Sequence, residues 1–298
     1  MSPAPYARLS GVALAAVLAT GAATGTPAGC APARSSASAS AVHARYVALG
    51  DSFTAGPLVP HESGHPALCL RSDHGYPALV AKKLRVRSFT NVSCAGARTA
   101  DMAGSEHLGI GTNPPQLDAV HTSTTLVTVG IGGNDIGFSG IALTCLTLGV
   151  TDSRGAPCRR VYVHHGTDTL RKRIDATGPR VARLLRRIHA RAPHARVVVV
   201  GYLRMLPTAV PRCFPRVPVA DGDVRYLGGV ERALNAMLEE RAGAGGATFV
   251  SVYAPGHDMC QRHARWVEGV IPTTRSAPIH PNAAGMRATA AAVEDAVG

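Results

Sequence analysis

The sequence predicts an α/β protein, a three-layer sandwich in which a central, mainly parallel five-stranded sheet lies between two layers of helices. Two observations support this fold class: strand-like runs alternate with helical patterns, and the central runs are continuously apolar. Alternating elements imply strand–helix–strand units, and continuously apolar strands are buried on both faces of a parallel sheet. No internal repeat or second compositional regime follows residue 45, so we expect a single domain.

The strand-like runs are short and rich in valine, leucine and threonine. They lie at residues 46–49, 86–92, 125–129, 196–201 and 248–252. Four patterns with apolar side chains at helical spacing lie at residues 76–84, 169–192, 227–241 and 281–297. The longest carries Leu170, Ile174 and Val181 on one stripe and ends at Pro193, which predicts a helix with one buried face.

Long stretches without periodicity connect these elements. They lie at residues 56–75, 103–118, 137–165, 207–223 and 254–278. Loops of this length in a compact domain are usually functional. Most of them follow the C-terminal ends of strands, where open α/β sheets bind their ligands. We therefore expect these loops to form the walls of an active-site crevice.

Residues 1–44 have the features of a signal peptide and a Ser/Ala-rich export segment. Arg8 precedes an apolar stretch at residues 9–23, which is too short and too rich in glycine for a membrane span. Cleavage is expected within residues 37–44, where small residues alternate. Ala28-Gly29-Cys30 also resembles the end of a bacterial lipobox, so lipid attachment at Cys30 is the alternative to free secretion. The domain is accordingly expected at residues 45–298.

The domain is strongly basic. Without Arg8 and Arg34, the chain has 29 basic and 19 acidic residues, a net charge of +10. Such a charge suits nucleic acid, anionic lipid headgroups or acidic polymers. No nucleic-acid motif accompanies it, and the basic residues between Arg171 and Arg187 are expected on the solvent face of one helix. We therefore predict no nucleic-acid partner and retain an anionic lipid interface as an alternative to a plain solvated face.

The cysteine content agrees with export into an oxidising compartment. Apart from Cys30 the chain has six cysteines: Cys69, Cys94, Cys145, Cys158, Cys213 and Cys260. Six cysteines allow fifteen pairings, and the residues alone do not choose among them. Neither a Cys-x-x-Cys nor a His-Glu-x-x-His motif is present, so no zinc site is expected.

Four short blocks carry the candidate chemistry. Gly-Asp-Ser-Phe at residues 50–53 places Ser52 at the C-terminal tip of the first strand, a suitable position for a nucleophile. Gly96 follows the second run, Gly-Gly-Asn-Asp at 132–135 follows the third, and His-Pro-Asn at 280–282 precedes the last helix. In this order the blocks resemble the SGNH (GDSL) hydrolase family, named for its Ser, Gly, Asn and His. The likeness spans roughly residues 45–296 and is strongest for secreted actinobacterial lipases and esterases.

The resemblance implies several features of the fold and the site. It implies a flavodoxin-like strand order, 2-1-3-4-5, with Ser52 as nucleophile and His280 as base. The oxyanion donors would be the backbone N–H groups of Ser52 and Gly96 and the side-chain amide of Asn134. The chemistry needs neither a metal nor another cofactor. The resemblance also implies that the cysteines pair in order, as Cys69–Cys94, Cys145–Cys158 and Cys213–Cys260.

One position departs from the family pattern. The family usually has an aspartate three residues before the catalytic histidine, and here that residue is Ala277. We infer that the backbone carbonyl of Ser276 or Ala277 accepts the Nδ1 proton of His280. A displaced acid at Asp258 is the alternative. A neutral carbonyl is expected to stabilise the imidazolium less than a carboxylate does.

Other polar residues near the blocks are expected to be structural. Asp51 and Asp135 are interpreted as carboxylates that fix loops by hydrogen bonding. Trp266 either lines an acyl pocket or packs its own loop. The loop histidines are interpreted as surface residues: His61, His65, His74, His164 and His165.

The sequence therefore predicts a secreted, monomeric serine hydrolase that cleaves carboxylic esters of lipids, that is, a lipase or an esterase. A phospholipase A and a carbohydrate deacetylase remain alternatives, because the same machinery serves them. The non-enzymatic alternative is an envelope-tethered binding protein, supported by Ala277 and the lipobox-like Cys30. Acyl length and headgroup depend on the loops and are left open.

Overall fold

The computed structural model describes residues 45–208 and 213–298, and a parallel sheet of five strands forms its centre. The strands are β1 (Arg45–Gly50), β2 (Ser88–Asn91), β3 (Leu126–Gly130), β4 (Arg196–Val200) and β5 (Thr248–Val250). Their order across the sheet is β2-β1-β3-β4-β5, and every neighbouring pair is parallel. All five predicted strands are present, and the predicted fold class and strand order are confirmed.

Helices surround the sheet. The α-helices of the described residues are α1 (Ser52–Ala55), α2 (Tyr76–Lys83), α3 (Phe138–Thr151), α4 (Pro157–Tyr162), α5 (Thr169–Arg191), α6 (Asp221–Ala244) and α7 (Ala283–Val297). The predicted bounds of α2, α5 and α7 are confirmed to within two residues. Helix α6 begins at Asp221, six residues before its predicted start, and its first turn carries the acidic residues Asp221 and Asp223, which suit a helix N-terminus.

The side chains of β1 alternate between two buried faces. Val47 and Leu49 pack into the core on one face, and Tyr46 and Ala48 pack into the core on the other. Helices α5 and α6 pack against each other over the first face, and α2 and α7 do so over the second. The molecule therefore has three layers, and both faces of the sheet are covered, as its apolar strands require.

The prediction of an irregular loop at residues 137–165 is wrong, because α3 and α4 occupy most of it. The helical pattern is hidden because α3 is apolar on both sides. Ile141 is buried, whereas Leu143 is 71% exposed and Val150 is 63% exposed. Without a polar face, a helix leaves no periodic signal in its sequence.

A two-stranded antiparallel hairpin lies within the predicted loop at residues 103–118. Glu106–His107 pairs with Thr112–Asn113 in this hairpin. The buried guanidinium of Arg71 holds the hairpin to the end of β2, because it donates to Asn113 Oδ1 at 2.7 Å and to the Ser93 carbonyl at 2.6 Å. A second short hairpin precedes α5 and joins residues 163–164 to 167–168.

Three disulfides pair the cysteines in sequence order. Cys69–Cys94 joins the segment after α1 to the segment after β2, and Cys213–Cys260 joins the segments after β4 and β5. Cys145–Cys158 joins α3 to α4. Disulfides in such loops typically contribute about 2–4 kcal/mol each to the free energy of unfolding. The loops at the C-terminal end of the sheet are therefore covalently held.

The basic residues of α5 face the solvent, as predicted. Those exposed on its surface are Arg171, Lys172, Arg173, Arg180, Arg183, Arg186, Arg187 and Arg191. Within residues 45–208 and 213–298, no helix is long and apolar enough to cross a membrane. The predicted signal peptide and Cys30 lie outside the described residues.

Candidate active site

The chain turns sharply between β1 and α1, and this turn presents Ser52. Gly50 has a φ of 152°, and a Cβ at this position would lie 2.2 Å from Thr54 Oγ1, so the turn requires glycine. Asp51 caps α1, because its Oδ1 accepts the N–H of Phe53 at 2.9 Å. Ser52 is buried, with 7% of its surface exposed, at the C-terminal edge of the sheet. The cap role agrees with the structural interpretation of Asp51.

His280 contacts Ser52 as a base contacts its nucleophile. Its Nε2 lies 2.8 Å from Ser52 Oγ, and its Nδ1 lies 2.8 Å from the carbonyl oxygen of Pro278. The carbonyl can only accept, so Nδ1 carries the proton and Nε2 is free to accept the proton of the serine. The structure therefore brings together two residues that are 228 positions apart in the sequence.

The carbonyl that orients His280 is not the predicted one. We expected that of Ser276 or Ala277, whereas the acceptor is Pro278. The reason is the conformation of Ile279, whose φ of 60° folds the chain so that the carbonyl two residues before the histidine faces its ring. The carbonyl of Ala277 instead accepts the backbone N–H of His280 at 3.3 Å.

Two other carboxylates near the blocks bind to loops. Asp258 accepts the Cys260 N–H and the Gln261 side-chain amide, each at 3.0 Å. Since the Nδ1 of the histidine is bound to a carbonyl, the hypothesis of a displaced acid at Asp258 is wrong. Asp135 accepts the Thr99 N–H at 2.9 Å and also the Thr99 hydroxyl, which agrees with its interpretation as a loop-fixing carboxylate.

We expect esterase activity to persist at mildly acidic pH. The pKa of His280 is lowered, mainly because burial disfavours the charged imidazolium, while the Pro278 carbonyl partly opposes this shift. A base must be neutral, so a lowered pKa moves the acid limb of kcat/KM below 6.5, the ordinary value for histidine. Initial rates on a short soluble ester across acidic and neutral pH will test this. An acid limb at or above the ordinary value would contradict it.

The predicted oxyanion donors are available for a ligand. The N–H groups of Ser52 and Gly96 have no acceptor among the residues that the structure describes. Gly96 has a φ of 98°, a left-handed conformation that favours glycine. The amide nitrogen of Asn134 donates to the Ala97 carbonyl at 3.0 Å, and this leaves its second N–H for a substrate.

Hydrogen bonds place these donors beside the nucleophile turn. The N–H of Cys94 donates to the Gly50 carbonyl at 3.0 Å, which holds the Gly96 block against the end of β1. The bond from Asn134 to Ala97 then holds the third block against the second. The blocks that follow β2 and β3 therefore lie on the two sides of β1, next to the turn that carries Ser52.

Tyr202, which our sequence analysis missed, connects the nucleophile turn to the third block. Its hydroxyl donates to Asp51 Oδ2 at 2.5 Å and accepts the N–H of Gly133 at 2.7 Å. A Cβ on Gly133 would lie 3.0 Å from that hydroxyl, so glycine permits the approach. Burial raises the pKa of Asp51 to about 7, and the bond from Tyr202 opposes this rise. We infer that Tyr202 is a positioning residue; its only sequence signal is its place directly after a strand.

The variant Tyr202→Phe is expected to lower kcat about tenfold and to leave KM nearly unchanged. It keeps the ring, which lies 5.1 Å from that of Phe53, but removes both hydrogen bonds of the hydroxyl. The free energy of unfolding should also fall by about 1–3 kcal/mol, because the buried carboxyl group of Asp51 loses a hydrogen-bond donor. Tyr226→Phe is the matched control, because it removes a bond to Asp168 away from the serine. Equal kcat values for the two variants would contradict the positioning role.

An apolar cavity lies near His280, and Ile279 is part of its wall. Its volume is about 90 Å³. Its walls come from the ends of β3 and β4 and from α3 and α6, and they include Ile141 and Leu234. Phe138 belongs to the wall, and its ring centroid is 6.0 Å from that of His280. An apolar lining of this kind suits a hydrocarbon group such as an acyl chain.

Trp266 packs its own loop. Its ring stacks on that of His257 with centroids 3.9 Å apart, and it is not part of the cavity wall as described. Of the two interpretations of Trp266, packing of its loop is therefore the one that the structure supports, and lining of an acyl pocket is not.

The five loop histidines that we expected at the surface are exposed. Two of them, His61 and His74, form a cluster with Asp73 whose potential ligand atoms lie within 4.8 Å of one another, which the sequence did not suggest. The Asp73 carboxylate already accepts the His61 N–H at 2.8 Å and contacts the His74 ring at 2.5 Å. We assign no metal to it. The six cysteines of the domain are all bound in disulfides and are not metal ligands.

Comparison with known proteins agrees with this geometry. The GDSL-like Lipase/Acylhydrolase family matches residues 48–288. Lipase 2 of Streptomyces coelicolor is 41% identical over 260 residues, which are 85% of each chain. Two solved structures superpose with a TM-score of 0.70 and cover 85% of this chain and 99% of their own. They are an extracellular lipase from Streptomyces rimosus, 28% identical, and phospholipase A1 from Streptomyces albidoflavus NA297, 27% identical. The chain therefore belongs to the GDSL-like lipase/acylhydrolase family and is a carboxylic ester hydrolase.

Proposed function

We propose that this chain is a secreted lipase or esterase that cleaves carboxylic esters of lipids through an acyl-enzyme on Ser52. The observation that carries the proposal is the 2.8 Å contact between His280 Nε2 and Ser52 Oγ, near an apolar cavity whose wall includes Phe138 and Ile279. A serine with a bound base can attack an ester carbonyl. The cavity offers a site for the acyl chain of that ester.

In the first half of the reaction, Ser52 Oγ attacks the carbonyl carbon and its proton moves to His280 Nε2. The resulting oxyanion accepts hydrogen bonds from the N–H groups of Ser52 and Gly96 and from the free N–H of Asn134. The Pro278 carbonyl holds Nδ1 of the imidazolium. The bond to the alcohol oxygen then breaks, and His280 returns its proton to that oxygen, which leaves the acyl group on the serine.

In the second half, a water molecule attacks the acyl-enzyme and gives a proton to His280. The same donors hold the second oxyanion. When the bond to Ser52 Oγ breaks, the imidazolium protonates the serine, and the carboxylic acid is released. Each half-reaction returns the histidine to its neutral state, ready to act as the base again.

Acylglycerols and related lipid esters fit the site best. The cavity near His280 is lined almost entirely by apolar side chains, which suits the acyl chain of such an ester. Phospholipase A activity is the second candidate. It is favoured by the net charge of +10, which would attract anionic headgroups, and by the similarity to a phospholipase A1.

Secretion is part of the proposal. The signal-peptide pattern at residues 1–44 and the three disulfides are typical of exported proteins. A similar solved structure is described as an extracellular lipase. A cell-fractionation experiment, with the variant Cys30→Ser beside the native chain, will separate free secretion from lipid anchoring.

The proposal is tested by hydrolysis of p-nitrophenyl esters of increasing acyl length. We expect a Ser52-dependent profile with its maximum beyond the acetyl ester. Ala142→Phe, which places a ring in the cavity wall, should shift that maximum toward shorter chains. Leu143→Phe is the matched control on the exposed side of the same helix and should keep the native profile. The lipid-ester proposal would be overturned if the rate were highest on the acetyl ester and Ala142→Phe left the dependence on acyl length unchanged.

A further inference from the structure

Helix α3 presents an uncharged face to the solvent. Its exposed residues recur at helical spacing and are Ser139, Gly140, Leu143, Thr147, Val150 and Thr151. Leu143 is 71% exposed and Val150 is 63% exposed, and none of the 14 residues of the helix is charged. The exposed surface of α5, by contrast, is formed largely by basic residues. An apolar surface that is left open in the described part of the chain indicates a partner.

The other side of α3 forms part of the wall of the apolar cavity. The residues of the helix that line it are Ile141, Ala142, Cys145 and Leu146. Phe138, in the first turn, also lines the cavity, and its ring centroid is 6.0 Å from that of His280. A helix with its side chains is about 10–12 Å across. A partner on the exposed face of α3 is therefore held about one helix diameter from the cavity proposed for the acyl chain.

Guanidinium groups lie at both ends of α3. At the N-terminal end, the exposed Arg173 donates through Nη1 to the carbonyl of Ile136, just before the helix, at 3.0 Å. At the C-terminal end, Arg160 Nη2 lies 2.8 Å from Oδ2 of Asp152, which is the C-cap residue of α3. Residues 138–162, which span α3 and α4, contain three arginines and one aspartate. The uncharged face is therefore bordered by an excess of positive charge.

We propose that this docking face, the exposed side of α3 with Arg160 and Arg173 at its ends, binds to the surface of an anionic phospholipid bilayer. The inference rests on the proposed lipid-ester hydrolysis and adds the surface through which the enzyme meets an insoluble substrate. Leu143 and Val150 enter the boundary between headgroups and acyl chains, where their apolar side chains leave water. The guanidinium groups bind lipid phosphates at the level of the headgroups.

The size of the docking face favours a lipid surface over a second copy of the chain. Leu143 and Val150 lie on one helix and are separated by about 10 Å along its axis. A stable protein–protein interface buries more than about 1,000 Å² in total and needs complementary shapes. A bilayer has no fixed shape to match, and a few apolar side chains and basic groups suffice to attract it. The bond between Cys145 and Cys158 joins α3 to α4, so that the helix and Arg160 dock as one unit.

The test measures binding to vesicles by sedimentation, in the Ser52→Ala background so that the lipids are not cleaved. We expect binding to phosphatidylglycerol vesicles, weaker binding to phosphatidylcholine vesicles, and a decrease at high salt. Leu143→Asp should lower the partition coefficient on phosphatidylglycerol at least about tenfold, because it removes an apolar contact and adds a repelled charge. Ala291→Asp is the matched control, since it adds the same charge at an exposed position of α7, on the other face of the sheet, and should keep native binding.

The chain with Ser52 intact gives a second readout. The rate on p-nitrophenyl palmitate carried in phosphatidylglycerol vesicles is divided by the rate on dissolved p-nitrophenyl acetate, so that the fraction of folded enzyme cancels. Leu143→Asp should lower this ratio about tenfold, and Ala291→Asp should keep it.

Equal vesicle binding by Leu143→Asp and Ala291→Asp would overturn the docking face and leave the proposed ester hydrolysis intact. Equal binding to the two lipids would overturn its assignment to an anionic surface. A dimer in size-exclusion chromatography that Leu143→Asp dissociates would show that a second copy covers the face, and this too would overturn the inference. Absence of Ser52-dependent cleavage of both esters would instead overturn the proposed function.

Discussion

Replacing Ser52 with alanine is expected to lower kcat/KM on every ester substrate by about 10⁴- to 10⁶-fold. The variant loses the oxygen that lies 2.8 Å from His280 Nε2, so no acyl-enzyme can form. Hydrolysis of a p-nitrophenyl ester gives the rate, and mass spectrometry of protein treated with a serine-reactive phosphonate shows whether the label is on Ser52. The thermal unfolding temperature should stay close to the native value, since only one oxygen is removed.

The double variant Ser52→Ala/His280→Ala provides the control for a shared mechanism. Residues that act as one unit have strongly non-additive effects, so the double variant should be about as slow as either single variant. If the two losses multiplied, the residues would act independently, which the direct contact between them makes unexpected. Activity of Ser52→Ala within tenfold of the native rate would exclude Ser52 as the nucleophile.

Replacing Asn134 with alanine should lower kcat about 10²- to 10³-fold with a much smaller change in KM. The free N–H of its amide is expected to bond to the oxyanion, whose charge develops only in the transition state. Steady-state kinetics with a soluble ester separates the two parameters. The loss of the bond to Ala97 should also lower the free energy of unfolding by about 1 kcal/mol.

Asn91→Ala is the matched control for this experiment. Asn91 is the last residue of β2, and its side chain accepts the Ser93 N–H at 3.1 Å. Its loss should affect stability and leave kcat near the native value. If Asn134→Ala behaved in the same way, Asn134 would serve only to hold Ala97, and the oxyanion would depend on the two backbone donors.

Much of the site could be predicted because parallel strands end at one edge of their sheet. Ser52, Gly96 and Asn134 each follow a different strand, and β1 lies between β2 and β3 in the observed order. Their sequence positions alone therefore indicate proximity. His280 precedes the last helix rather than following a strand, and only the family resemblance connected it to the serine.

Other parts of the site could not be predicted from residue patterns. The choice of Pro278 as acceptor depends on a left-handed conformation at Ile279, which a β-branched residue rarely adopts. Tyr202 acts through contacts made across the fold, with Asp51 and Gly133, and a single residue after a strand carries no periodic signal. Helix α3 was missed because its exposed face is as apolar as its buried face.

The disulfide between Cys145 and Cys158 has a consequence for the order in which the enzyme acquires its properties. Cys145 belongs to the cavity wall, together with Phe138 and Ile141 of the same helix. The serine–histidine contact is built from other segments, which that bond does not join. A chain that folds under reducing conditions is thus expected to have the catalytic pair before the position of that wall is fixed. We therefore expect discrimination among acyl chains to arise with oxidation, in the compartment where this bond forms.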